Sequence, residues 1–174
     1  MFAVTERLLL RPGWAEDAPA VARALCDAAV VRNLSRVPWP YGLADAEQFL
    51  ALPHEPCRPR FMICLRDRPE PIGVISINDE VPALGYWLAR DHWGKGYATE
   101  AGRAVVALAD ESLRLPRLLS SHATDNPASG KVLRKLGFRP TGKTARVASL
   151  GRDAHMETVL FARECEQPAQ ALAA

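Results

Sequence analysis

Apolar residues at Ala18, Val21, Leu25 and Ala29 recur with helical spacing and predict one helix from Trp14 to about Val30. Ahead of it, TERLLLR (residues 5–11) predicts a strand closed by Pro12-Gly13. An irregular stretch, residues 33–42, carries two prolines and a glycine around Trp39 and Tyr41, and a short helix is expected after it, over residues 44–52. RFMICL (60–65), PIGVISIN (71–78) and ALGYWLA (83–89) predict a strand meander whose first hairpin turns at residues 67–70. The period then changes: Ala98, Ala101, Val105, Leu108, Ala109 and Leu113 fall on one face of a long helix over residues 97–114. Residues 118–124 predict a strand. Asn126 then supplies an N-cap, Pro127 a first helical position, and Gly137 a residue just past the helix end. Residues 138–163 complete the pattern as two strands around a turn at 151–153.

The resulting order, β α α β β β α β α β β, predicts one mixed α/β sheet with helices on both faces. The strand–helix–strand unit over residues 83–124 is expected to be a parallel, right-handed crossover. A length of 174 residues fits one domain, placed at residues 1–165, with a mobile tail at 166–174.

Lys and Arg exceed Asp and Glu by 22 − 20 = +2, a balance that argues against nucleic acid or an anionic membrane as partner. The longest purely apolar run, residues 104–109, is six residues, against the roughly 20 of a membrane-spanning helix. Glu6 and Arg7 before three leucines do not have the order of a signal peptide, so the protein is expected in the cytoplasm. The four cysteines and four histidines show no metal-binding spacing, so no metal is expected and the thiols are expected reduced.

Two glycine-containing turns invite a phosphate. Gly137 to Thr144 matches G-x-x-x-x-G-K-[ST] literally, but a helix precedes it, strand-like residues follow, and Pro140 removes an N–H donor. A P-loop phosphotransferase is therefore the weaker alternative. The other turn, Trp93-Gly94-Lys95-Gly96-Tyr97-Ala98-Thr99, follows a strand and opens the long helix, where backbone amides and the helix dipole favour an anion. Thr99 stands where the dinucleotide fingerprint requires glycine. By spacing alone this turn equally fits a plain tight turn. Between Asn126 and Arg146 lie six basic residues, Lys131 among them, and no acidic one. Alone they fit a solvated helix face; with the glycine turn they favour a phosphate-bearing cofactor.

GYWLARDHWGKGYATEA (85–101) followed by NPASGKVLRKLGF (126–138) resembles the GNAT superfamily of acyl-CoA-dependent N-acetyltransferases. With the opening TERLLLR it is similar to the RimJ/RimL-type branch, over roughly residues 5–163. The resemblance implies a mostly antiparallel sheet with one splayed parallel strand pair, and acetyl-CoA as co-substrate. The family's diphosphate loop, Q/R-x-x-G-x-G/A, aligns on Trp93, Gly94, Lys95, Gly96, Tyr97 and Ala98, with Thr99 following. Trp93 departs from the usual Gln or Arg. Trp87, Leu88 and Ala89 would line the strand that meets the pantetheine arm. Asn126 and Ser129 match N-x-x-S beside the cofactor's thiol end, with Lys131 nearby.

Acyl transfer from a thioester to an amine requires a deprotonated amine, a polarised carbonyl and a stabilised leaving thiolate. Ser129 is the candidate donor to the thiolate. The family's strand glutamate is replaced by Ala83, leaving Glu80 (with Asp79) and His122 as candidate bases, and His155 and Glu157 as further ones. Trp39 and Tyr41 are candidates for binding the amine acceptor, or for a dimer contact. The acceptor could be a protein N-terminus or a small-molecule amine, and a homodimer is an expected partner. A non-catalytic acyl-CoA sensor is the alternative of a different class. Gly96→Val is expected to spare the fold provided that φ there is negative.

Overall fold

The computed structural model describes residues 1–78 and 81–164. Its strands are β1 (Ala3–Val4), β2 (Leu8–Arg11), β3 (Arg60–Leu65), β4 (Pro71–Asn78), β5 (Ala83–Leu88), β6 (Arg117–Ala123), β7 (Arg139–Ser149) and β8 (Ala154–Glu164). Its helices are α1 (Ala18–Leu25), α2 (Ala28–Val31), α3 (Leu43–Ala51), α4 (Tyr97–Glu111) and α5 (Pro127–Lys135). The eight strands form one sheet in the order β1-β2-β3-β4-β5-β6-β8-β7. Every neighbouring pair is antiparallel except β5–β6, which α4 connects in parallel.

Helices cover both faces, so the central strands are apolar on both sides, the condition that produces continuous rather than alternating runs. On β3, Phe61 and Ile63 join Ile75, Ile77, Val105, Leu133 and Phe161 in the core beneath α4 and α5. Met62 and Cys64 join Val21, Leu25, Tyr41 and Val74 beneath α1 and α3. Each fully buried side chain of this size contributes about 1.5–3 kcal/mol. Gly102 of α4 allows close approach of α5: a Cβ there would lie 2.4 Å from Leu136 Cδ1.

Two expected elements are divided. Residues 5–11 are not one strand, because Thr5 closes a turn between β1 and β2: its N–H donates to Leu8 O at 2.9 Å and its Oγ1 accepts from Leu8 N at 3.0 Å. The helix expected over residues 14–30 is a 3₁₀ turn (Ala15–Asp17), then α1, then α2. The break falls at Asp27, whose backbone is extended and whose Oδ1 accepts from Ala29 N at 2.8 Å, so the side chain starts α2 instead of continuing α1. The tail expected to be mobile at 166–174 lies outside the described residues. Among the described residues no helix is long and apolar enough to cross a membrane.

Candidate active site

The parallel ladder between β5 and β6 holds one pair, Ala83↔Leu119. Leu119 N bonds Pro82 O at 2.9 Å and Ser120 Oγ donates to Leu84 O at 2.8 Å; beyond that point the strands part. β5 keeps its pairing with β4 as far as Leu88, so the divergence opens its other edge, from Gly85 to Leu88. A cleft of about 1430 Å³ follows this edge and reaches both sides of the sheet.

At one end of the cleft stands the N-terminus of α4. Gly94 and Gly96 have φ of +73° and +83°, left-handed conformations that glycine adopts without steric cost. A Cβ at Gly94 would meet nothing within 4 Å, so the turn presents open backbone, and Gly96 is the N-cap. Amides at a helix N-terminus and the positive end of the dipole favour an anion.

The turn is held from the far end of the chain. Arg7 Nη1 donates to Lys95 O at 3.1 Å, its Nε to Glu100 Oε2 at 2.7 Å, and its guanidinium lies 4.7 Å from the Tyr97 ring centre. Thr5 Oγ1 and Arg7 N donate to Glu100 Oε1 at 2.6 and 2.8 Å. Burial opposes ionisation of Glu100, but the bonds from Thr5 and Arg7 outweigh it and hold the carboxyl below its ordinary range.

Near the middle of the cleft stands the start of α5. Asn126 Oδ1 accepts from Ser129 N at 3.4 Å, which fixes Ser129 at the third helical position. The Ser129 hydroxyl takes no part in that cap. It lies 2.7 Å from the Tyr86 hydroxyl, either oxygen able to donate, and Tyr86 also donates to Ser129 O at 3.1 Å. Burial pushes the Tyr86 hydroxyl up to about 12, against the bond from Ser129, so it stays protonated at neutral pH.

A family model described as an acetyltransferase (GNAT) domain matches residues 7–139. The chain belongs to the GNAT acetyltransferases. An uncharacterized N-acetyltransferase, p20 of Bacillus licheniformis, is 30% identical over 147 residues, covering 79% of this chain and 82% of its own length. A ribosomal-protein-serine acetyltransferase of Escherichia coli is 34% identical over 108 residues, 59% of each. The fold is shared with a RimL ribosomal L7/L12 alpha-N-protein acetyltransferase in complex with coenzyme A, at TM-score 0.81 and 20% identity, covering 97% of this chain and 100% of that one. A GNAT-family acetyltransferase from Bacillus anthracis superposes at TM-score 0.80 with 21% identity, covering 94% and 98%.

Within this GNAT domain Trp87, Leu88, Trp93, Gly94, Gly96, Tyr97, Ala98, Thr99, Asn126, Ser129, Lys131 and His122 all line the cleft. Lys95 is not among the lining residues, and Ala89 belongs to a smaller depression near α1, its N–H on Ile72 O. Trp93 uses its indole N–H on Leu88 O at 2.8 Å, bracing the turn against the end of β5. His122 Nδ1 is 2.8 Å from Ala123 O, a contact that only a donor satisfies, so the neutral ring leaves Nε2 as acceptor. That Nε2 lies where a Cβ on Gly130 would be 2.6 Å away, so the glycine makes room for the imidazole. Glu80 and Asp79 fall outside the described residues. His155 and Glu157 are exposed on β8 and do not line the cleft.

Tyr41 lines the cleft from within the α1–α3 core, where burial raises its hydroxyl to about 12. Trp39 is 44% exposed and outside the cleft lining. At Gly96 the positive φ overturns the expectation that valine would be tolerated: a β-branched residue is strained there whatever the cofactor. Sequence reasoning did not single out Tyr86, although it directly follows Gly85 in the family motif, nor the Thr5–Arg7–Glu100 clamp.

Proposed function

We propose that the protein transfers an acetyl group from acetyl-CoA to a primary amine, a protein N-terminus or a small molecule, by direct attack in a ternary complex. The observation that carries this reading is the parting of β5 from β6, with the α4 N-terminal turn at one end and the Tyr86–Ser129 pair beside it. The residues fit coenzyme A: Gly94 offers backbone with no side chain in the way, Lys95 adds a charge near the diphosphate, and the β5 edge that faces away from β4, where Leu88 O already accepts from Trp93, suits an amide-containing arm.

The acyl group supplied by the thioester is transferred as the amine nitrogen bonds the carbonyl carbon and the carbon–sulfur bond breaks. Ser129 donates a hydrogen bond or proton to the sulfur, and for that step the one Tyr86 proton turns from Ser129 O to Ser129 Oγ. An alkyl amine has pKa near 10.4 in water, so its proton must be removed near neutrality. His122 through Nε2 and Glu80 are the residues proposed for that step, the first at the cleft wall. Placing amine and thioester together supplies much of the acceleration without a covalent enzyme intermediate. Homodimerisation belongs to the same proposal; sedimentation as one 19.1 kDa species would remove it.

Coenzyme A thiol release with a panel of amines tests the reading, alongside thermal shifts with acetyl-CoA and with ATP. Amine-dependent thiol release is expected, and a raised melting temperature with acetyl-CoA alone. Binding without turnover on any amine would turn the assignment to an acyl-CoA sensor. A shift with ATP would revive the P-loop alternative.

A further inference from the structure

We propose that the amine acceptor carries an anionic group, a carboxylate or phosphate, which Arg60 recognises on the α3 side of the cleft. The proposal rests on the acetyltransferase reading and adds the class of acceptor.

Arg60 opens β3, pairs with Ser76 of β4, and Ser76 pairs with Gly85 of β5, next to Tyr86. It shares strand parity with Met62 and Cys64, which places it on the sheet face under α1 and α3, opposite α4 and α5. Its guanidinium lies 4.8 Å from the Phe49 ring centre, and Nη2 donates to Leu52 O, at the end of α3, at 2.8 Å. That is its one hydrogen bond among the described residues, and its buried Nε has no partner among them.

Other sheltered arginines are satisfied differently. Arg11 forms a double bond-pair with Asp17 and Arg163 one with Asp110, all contacts at 2.7 Å. Among the described residues Arg60 has no such carboxylate. Asp45, the acid lining the same cleft, is turned to Gly42 N at 2.8 Å, at the opposite end of α3. Removing a guanidinium from water without a counter-charge is costly, and burial lowers the Arg60 pKa for that reason. The α3 C-terminal dipole offsets part of this cost. With Nε buried, Nη1 and the second proton of Nη2 are the pair that can take a carboxylate or phosphate oxygen from the cleft. Neighbouring groups add donors: Asn78 Nδ2 crosses over Gly85, 2.9 Å from where a Cβ would stand, with Ser76 Oγ at 4.0 Å. Two strand spacings, about 10 Å, separate the Arg60 and Gly85 backbones. The anion and the reacting amine would therefore sit at opposite ends of a small molecule, or of the first residues of a peptide.

Matched acceptor pairs test this: an amino acid against its amide, phosphoethanolamine against ethanolamine, and peptides with Asp or Asn at the second position. The wild type is expected to favour the anionic member of at least one pair by about ten-fold or more in kcat/KM. Which pair responds identifies the source of the anion. In Arg60→Met, whose stem still covers Phe49, that ratio should fall to about two-fold or less, with partial recovery in Arg60→Lys. Unchanged acetyl-CoA affinity by calorimetry would show that the fold and the cofactor side are intact. Were Arg60→Met not to fold, the wild-type ratios and Arg60→Lys decide. Equal rates within every pair, or a ratio preserved in the Arg60 variants, would overturn the proposal. Should no amine react at all, the transferase reading fails by itself. Calorimetric binding of the N-acetylated acids then tests the anion site: binding lost in Arg60→Met upholds it, and no binding to wild type rejects it.

Discussion

Two turns in this chain pair a glycine with lysine near a second left-handed glycine, and their fates differ. At Gly94–Gly96 β5 leads in through a 3₁₀ turn (Arg90–His92) and the 15-residue α4 leads out, and both glycines line the cleft. At Gly137–Gly142 the order is reversed. Gly137, at φ +84°, ends α5, and Gly142, at φ +77°, lies within β7, where the register with β8 shifts between Pro140 and Thr144. Thr141 Oγ1 donates to Leu160 O at 3.1 Å and accepts from Lys143 N at 3.3 Å, so this turn is closed on its own sheet edge. No helix N-terminus follows it, and with that the P-loop pattern loses its chemistry. A Cβ at Gly94 or at Gly142 would meet nothing within 4 Å. The same local freedom thus serves a helix N-terminus beside the cleft in one place and a strand irregularity in the other.

The largest expected contrast is in cofactor affinity. Gly96→Val should weaken acetyl-CoA binding by about 30-fold, roughly 2 kcal/mol, and lower the melting temperature through strain at φ +83°. Calorimetry giving wild-type affinity would dissolve the distinction between the two turns.

A second test separates the two ends of α5, the Ser129 end and the Gly137 end. Ser129→Ala should reduce kcat about ten-fold, near 1.4 kcal/mol of barrier, with acetyl-CoA affinity nearly unaltered. Because the Ser129 hydroxyl meets Tyr86 and not the cap, Tyr86→Phe should act in the same direction and the double variant should be little worse than either alone. A Ser129→Ala protein that melts earlier yet turns over at the wild-type rate would leave the hydroxyl a structural role only.

The brace behind the first turn gives a pH signature. The Glu100 carboxyl is held below its unfolded value, so its stabilisation is complete above about pH 4.5 and is lost as pH falls through the folded value. Glu100→Gln should therefore melt earlier than wild type at pH 7, by about 1 kcal/mol of stability, and the gap should narrow below pH 4.5. A gap independent of pH would mean that Glu100 acts by shape and not by charge.

The smallest effect on the cofactor side is expected at the second turn. Gly142→Ala should cost about 1 kcal/mol, the penalty of a left-handed L-residue, and leave acetyl-CoA affinity within calorimetric error.

Legibility followed the range of the interaction, with one exception inside a helix. Asn126-Pro127 at the head of α5 and Gly137 past its end were readable because caps depend on residues three or four apart. Periodicity placed β3, β4, β5 and α4 within a residue or a few of their ends. The break at Asp27 was not readable, since a helical spacing runs through it and one short side chain bonding Ala29 N decides the matter. The buried pair of Arg11 with Asp17 was equally silent, because in sequence both look like surface charges and only the sheet around them removes the water. Ser129 was found by its motif, but the oxygen it faces belongs to Tyr86, forty-three positions earlier.

By itself the sequence determined what local backbone chemistry dictates: where most strands and helices lie, where glycine-containing turns interrupt them, and which faces are apolar. Tertiary structure alone decided that β5 and β6 pair once and then part, that Thr5 and Arg7 reach Glu100 across more than ninety residues, and that Arg60 lines the cleft with its Nε unbonded among the described residues. Each of these depends on groups distant in the chain meeting away from water. That meeting sets their charge, their partners and their use, and no neighbour in the sequence carries the information.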